Sequence, residues 1–127
     1  MIAIERLAMA IALQIDGFVT FWPEYERRDI VSEKRLVVPS GIVYKQLNRR
    51  DTQKDYRIDI GLLSRATEDD VGPLVEKLEG LAKRFVGGSV NGLACVDVRH
   101  DPLYSVELLR EKRLFVGVLK LTFRGVV

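Results

Sequence analysis

The last fifteen residues, Arg113-Leu-Phe-Val-Gly-Val-Leu-Lys-Leu-Thr-Phe-Arg-Gly-Val-Val127, read as one long strand with more apolar side chains than a single sheet face can use. Phe115, Leu119, Leu121 and Phe123 share one parity and suit a core. Leu114, Val116 and Val118 fall on the other parity, where a solvated sheet would carry polar groups. A second apolar face demands a second cover, and the expectation from sequence is that a neighbouring subunit supplies it.

The remaining elements are few enough to order. Ile4, Leu7, Ile11, Ile15 and Phe18 recur three and four apart, which predicts an amphipathic helix over Met1 to Phe18. Glu5, Arg6, Gln14 and Asp16 interrupt its apolar character, and no basic leader precedes it, which argues against a signal or membrane segment. Residues 19–34 hold Phe21, Trp22, Pro23 and Tyr25 with no sustained period, and read as an ordered loop. A β-rich run from Arg35 to Leu47 is interrupted by Pro39-Ser40-Gly41. Proline cannot donate to a ladder, so this strand must be split, bulged or at an edge. After the polar turn Asn48 to Gln53, the alternation of Tyr56, Ile58, Ile60 and Leu62 completes an antiparallel hairpin.

A second helix has the strongest signal. Thr67 and Asp70 have capping-box spacing, Glu68, Asp69 and Asp70 place negative charge at the helix start, and Val71, Leu74, Val75, Leu78, Leu81, Ala82 and Phe85 form one stripe. Lys83 and Arg84 occupy the last turn and Gly87-Gly88 ends it. A third strand, Leu93 to Arg99, breaks at Asp101-Pro102, and a charged segment, Tyr104 to Lys112, leads to the final strand. The sequence thus predicts a single α+β domain over residues 1–127, built as a two-layer sandwich. About four antiparallel strands would carry two helices on one face, in the order αββαββ.

Composition excludes several classes of function. Twenty basic against 18 acidic residues, a net charge of +2, make a mixed surface rather than a polycation. A single cysteine, Cys95, cannot form an internal disulfide and points to a reducing interior. Cys95 and His100 are the one thiol and the one imidazole, so a cysteine nucleophile with a histidine base would need both. Five residues apart on a regular strand they point to opposite faces. Asp97, Arg99, His100 and Asp101 meet no zinc spacing, and Gly87-Gly-Ser-Val-Asn-Gly92 closes a helix instead of opening one, unlike a phosphate loop. No enzyme activity, cofactor, metal, membrane contact or small-molecule substrate is expected. The cations Arg49, Arg50, Lys54 and Arg57 gather around the hairpin, interleaved with Asp51, Asp55 and Asp59. They suit a subunit contact, or alternatively a nucleic-acid-binding α+β module.

The element order, with Asp55-Tyr-Arg-Ile-Asp-Ile-Gly-Leu-Leu-Ser-Arg65 leading into an acid-started helix and Leu119-Lys-Leu-Thr-Phe-Arg124 as a closing strand, resembles the tail terminator and tail-completion proteins of long-tailed bacteriophages. The resemblance implies a small structural virion subunit of a phage or prophage, a tail terminator or head–tail joining protein. Such a subunit assembles as a ring, typically a hexamer, between the tail tube and the head connector, with DNA passing through it. It would act in the virion and, during assembly, in the bacterial host cytoplasm. A head-to-tail ring needs two different complementary patches on each subunit. For these the sequence offers Arg49, Arg50, Lys54 and Arg57 on the hairpin and Leu114, Val116 and Val118 on the final strand.

Overall fold

A computed structural model of the chain describes residues 2–20 and 33–126. The loop aromatics Phe21, Trp22 and Tyr25 lie outside the described residues. The first helix, α1 (Ala3–Ile15), buries Ile4, Leu7, Ala8, Ile11, Ala12 and Ile15, the stripe expected of it. It stops where Asp16 turns left-handed, with Gly17 donating to the Ala12 carbonyl. The last turn of α1 has no basic residue of its own, so cations from elsewhere serve its open carbonyls. Arg35 Nη1 donates to the Ile15 carbonyl at 2.9 Å and Arg84 Nη1 to that of Gln14 at 2.8 Å, where the negative end of the helix dipole favours them.

Beyond α1 comes a two-residue strand, β1 (Phe18–Val19), then the long strands β2 (Lys34–Gln46) and β3 (Thr52–Arg65). A 3-10 turn, Glu68–Asp70, opens α2 (Val71–Phe85), and there the Asp70 carboxylate accepts from the Thr67 amide at 2.9 Å. The short β4 (Ser89–Val90) turns through Asn91 and Gly92, both at positive φ, into β5 (Leu93–His100). That pair of conformations is what a two-residue hairpin matched to strand twist requires, and Asn-Gly supplies it with little strain. Helix α3 (Val106–Lys112) and strand β6 (Leu114–Val126) complete the chain.

The strands form one sheet in the order β1-β2-β3-β6-β5-β4. β1 runs parallel to β2 and every other pairing is antiparallel. The expected two-layer sandwich of four antiparallel strands and two helices in the order αββαββ is therefore incorrect. Among the described residues the chain forms a mixed, curled six-stranded sheet with three helices. Three elements escaped the pattern. β1 and β4 have two residues each, too few to show any period, and α3 has seven. α3 is nonetheless capped as a helix, with the Ser105 hydroxyl accepting from the Leu108 amide at 3.2 Å.

One face of the sheet carries the main core and the other is apolar only at one end, and they are covered differently. On one, Tyr56, Ile58, Ile60 and Leu62 of β3 and Phe115, Leu119, Leu121 and Phe123 of β6 pack under α1 and α2, with the Phe85 ring edge-on to Phe123 at 6.4 Å. On the other, Leu36, Leu63 and Val116 form a small second cluster, with Leu108 and Leu114 packed against it. α3 sits at the rim: its Leu109 joins the main core while the adjacent Leu108 joins the second cluster. Leu114 and Val116 thus find cover within the chain itself.

Candidate functional site

Two surface features stand out from the rest of the fold, an open groove on the face without α1 and α2 and a projecting arm. The groove arises because the sheet curls. Leu36, Val38 and Ser40 of β2, Asp59 and Gly61 of β3, Val118 and Lys120 of β6, and Asp101-Pro102 after β5 all line one cavity of about 470 Å³. Such a volume lies in the range of ligand and side-chain binding clefts. It continues into a more polar end walled by Arg57, Asp97, Arg99 and Thr122.

Register explains the site. Val38 and Lys120 pair with Asp59 on its two sides, so that carboxylate sits mid-sheet on the groove side. At Pro39–Gly41 the β2–β3 register shifts, and the bulge brings the Ser40 hydroxyl to donate to the Arg57 carbonyl at 3.0 Å and to Asp59 Oδ1 at 3.3 Å. The expected interruption at Pro39-Ser40-Gly41 is this bulge. Lys120 faces Asp101 at 4.0 Å and Arg99 binds Asp97 at 3.2 Å. Among the described residues, Asp59 has no cation within ion-pair distance, and burial pushes its carboxyl above the usual value despite the nearby Lys120.

A second carboxylate on the same strand behaves in the opposite way. Asp55 accepts from Arg124 Nε at 3.0 Å and from Nη2 at 3.2 Å, and this guanidinium holds its carboxyl below the usual value. The two residues therefore drive stability oppositely with pH. Asp55 stabilises the fold above the unfolded-state carboxylate range, and that contribution is lost as pH falls through its lowered value. Asp59 prefers the protonated form in the folded state, so its ionisation weakens the fold as pH rises through its raised value. Asp59→Asn is expected to gain thermal stability at pH 7 but not at pH 3, and Asp55→Asn to lose it at pH 7. Melting temperatures of dilute protein at the two pH values check both signs.

The arm is the distal half of the β2–β3 hairpin. Tyr56 is the last buried residue of β3 before the turn, and the ribbon runs roughly 13 Å beyond it. Ile42, Val43, Tyr44 and Leu47 are 37%, 41%, 60% and 48% exposed, on both faces of the ribbon. Lys54 lies 5.4 Å from the centre of the Tyr44 ring. At the tip, Asn48 Oδ1 accepts from the amides of Arg50 and Asp51 at 2.8 and 2.9 Å, and Asn48 Nδ2 donates to Asp51 Oδ2 at 2.9 Å. These bonds fix the turn and present Arg49 and Arg50 to solvent.

The residues singled out in the sequence thus separate into three places. Arg49, Arg50 and Lys54 are on the arm, Arg57 and Val118 line the groove, and Leu114 and Val116 belong to the second cluster. Asp59, Ser40 and Pro102 were not singled out as a site, although the outward parity of Asp59 was readable from its strand.

Cys95 and His100 need a correction. The register shifts between Cys95 and Asp97, so Cys95 pairs with Phe123 and His100 with Leu119, both on the main-core side. They share a face, contrary to the regular-strand expectation, but stand about 13 Å apart along β6. Burial pushes the Cys95 thiol up, and its Sγ donates to the Asp97 carbonyl at 3.6 Å, an environment that disfavours thiolate. Among the described residues no three His, Cys, Asp or Glu side chains gather to hold a metal ion, and no helix is long and apolar enough to cross a membrane. No protein-family model matches the sequence, and no curated protein matches it.

Proposed function

We propose that this chain is a structural subunit of a long-tailed phage or prophage particle, a tail terminator or head–tail joining protein that closes into a ring between tail tube and head connector. The arm is the observation that carries this reading. A ribbon with apolar side chains exposed on both faces gains from burial against a partner, and a cationic tip suits a contact that must also choose its register. The resemblance of the Asp55–Arg65 and Leu119–Arg124 segments supplies the kind of particle. The partners are other copies of the chain, tail-tube and connector proteins, and DNA in the lumen. The role requires no catalysis or cofactor, and its sites of action are the virion and, before that, the host cytoplasm.

Light scattering after size exclusion, over a concentration series, tests the assembly. The wild type is expected to form a discrete closed species, with six 14.4 kDa subunits as the value the resemblance favours. Val43→Asp/Tyr44→Asp is expected to raise the concentration needed for assembly about tenfold or more, a loss of at least ~1.4 kcal/mol per contact, with an unchanged circular dichroism spectrum. A wild type that stays monomeric throughout, or a double variant that assembles normally, would sink the proposal.

One observation favours a second reading. Tyr44 is exposed beside Lys54 and near Arg49 and Arg50, which is the combination of stacking ring and cations that holds single-stranded nucleic acid. Steeply salt-dependent binding of an unstructured oligonucleotide, lost in Tyr44→Ala, would support it.

A further inference from the structure

We infer that the groove on the curled sheet is the seat for the arm of a second copy of this chain, with an arginine of the arm tip delivered to Asp59. The inference rests on the ring reading above and names the two surfaces that would meet.

The chemistry of the two surfaces is complementary. The groove has an apolar floor, Leu36, Val38 and Val118, and one half-buried carboxylate. Lys120 pairs with Asp101 and Arg99 with Asp97, and Arg57 lines the polar end, while Asp59 accepts from the Ser40 hydroxyl and lies beside Lys120 without an ion pair of its own among the described residues. A carboxylate half removed from water without a hydrogen-bonded cation is costly, and a guanidinium brought by a partner relieves that cost. The arm offers the converse arrangement. Tyr44 and Leu47 are exposed apolar flanks, and the tip's own acid, Asp51, is engaged by Asn48, which leaves Arg49 and Arg50 to act outward.

The contact must be intermolecular. Thr52, at the base of the turn, and Asp59 are seven residues apart on one continuous strand, about 23 Å, so the tip cannot fold back onto its own groove. Because arm and groove are different surfaces, each copy gives one and receives one. That is a heterologous contact, and it closes into a ring when the rotation between copies permits.

A charge exchange tests the pairing, read as the concentration for half-assembly in light scattering. Asp59→Arg and Arg49→Asp/Arg50→Asp are each expected to raise it about tenfold or more, and the triple variant carrying both changes to return within about threefold of wild type. Should Asp59→Arg fail to fold, Asp59→Asn makes the same test. It is expected to weaken assembly and to abolish the further loss caused by Arg49→Asp/Arg50→Asp. If the wild type assembles but either charge change alone has no effect, or the combined variant shows the product of the separate losses, the arm-in-groove contact is wrong while the ring reading stands. If the wild type does not assemble at any concentration, the ring reading fails and this inference falls with it.

Discussion

Phe123→Ala is expected to lower the free energy of unfolding by about 3–5 kcal/mol, the range for a buried aromatic truncated where the surroundings cannot collapse. Phe123 is fully buried at the centre of the sheet. Tyr56 of β3 and Cys95 of β5 pair with it on either side, and the Phe85 ring of α2 meets its ring at an interplanar angle of 84°. Those neighbours belong to a hydrogen-bonded ladder and to the helix packed on it, so none can move far into the space vacated. Domains of this kind are stable by only ~5–15 kcal/mol, so the substitution removes a large share. Urea unfolding followed by far-ultraviolet circular dichroism, on dilute protein, measures the loss. Val43→Ala on the exposed arm serves as the comparison and should change stability by less than about 0.5 kcal/mol. A loss below ~1 kcal/mol at Phe123 would mean that α2 does not seat on β6 as described.

The elements legible in the sequence were those long enough to display a period. α2 was readable because Leu74, Leu78, Leu81 and Phe85 repeat over about three turns and Thr67 and Asp70 mark the start. β3 and β6 were readable because thirteen or fourteen residues of alternation leave little choice of face. α3 was hidden for the opposite reason. Leu108 and Leu109 are adjacent and serve different apolar clusters, so the helix has no single stripe. Two-residue strands carry no pattern at all, and without β1 and β4 the sheet looked smaller and wholly antiparallel.

The groove was legible only in fragments. Alternation places Asp59, Val118 and Lys120 outward, but their neighbours depend on β2 register across the Pro39–Gly41 bulge and on the curl that brings Pro102 opposite Val38. A bulge also explains the error at Cys95 and His100. One extra residue inverts the parity of everything beyond it, and nothing in Ala94-Cys-Val-Asp97 announces the insertion. The surplus apolar face was expected to be covered by a neighbouring subunit, yet Leu108 and Leu114 of the same chain pack against Leu36, Leu63 and Val116. Of Leu114, Val116 and Val118, Val118 lines the groove and the other two belong to the second cluster.

Gly117→Ala is expected to cost about 3 kcal/mol, near the upper end for overpacking a filled site. A β-carbon at Gly117 would stand 2.7 Å from the Leu103 carbonyl oxygen, 2.7 Å from Leu78 Cδ2 and 3.1 Å from the Phe115 ring. The leucine side chain can yield by changing rotamer, whereas the carbonyl is held. The segment from Asp101 to Ser105 bonds to β6 on both sides of Gly117: Asp101 N donates to the Val118 carbonyl at 2.9 Å, Val118 N to that of Pro102 at 3.0 Å, and Ser105 N to that of Val116 at 3.2 Å. A single added methyl must therefore either strain β6 or peel this segment away. Hydrogen exchange separates the two. Faster exchange at Asp101, Ser105 and Val118 alone marks peeling, a uniform rise marks strain of the whole sheet, and wild-type stability with wild-type protection would show that the close approach does not exist. Peeling would also carry Asp101 and Pro102 off the groove wall. In that case the arm-in-groove proposal requires the variant to lose assembly beyond its loss of stability, which ties the packing of one glycine to the proposed contact.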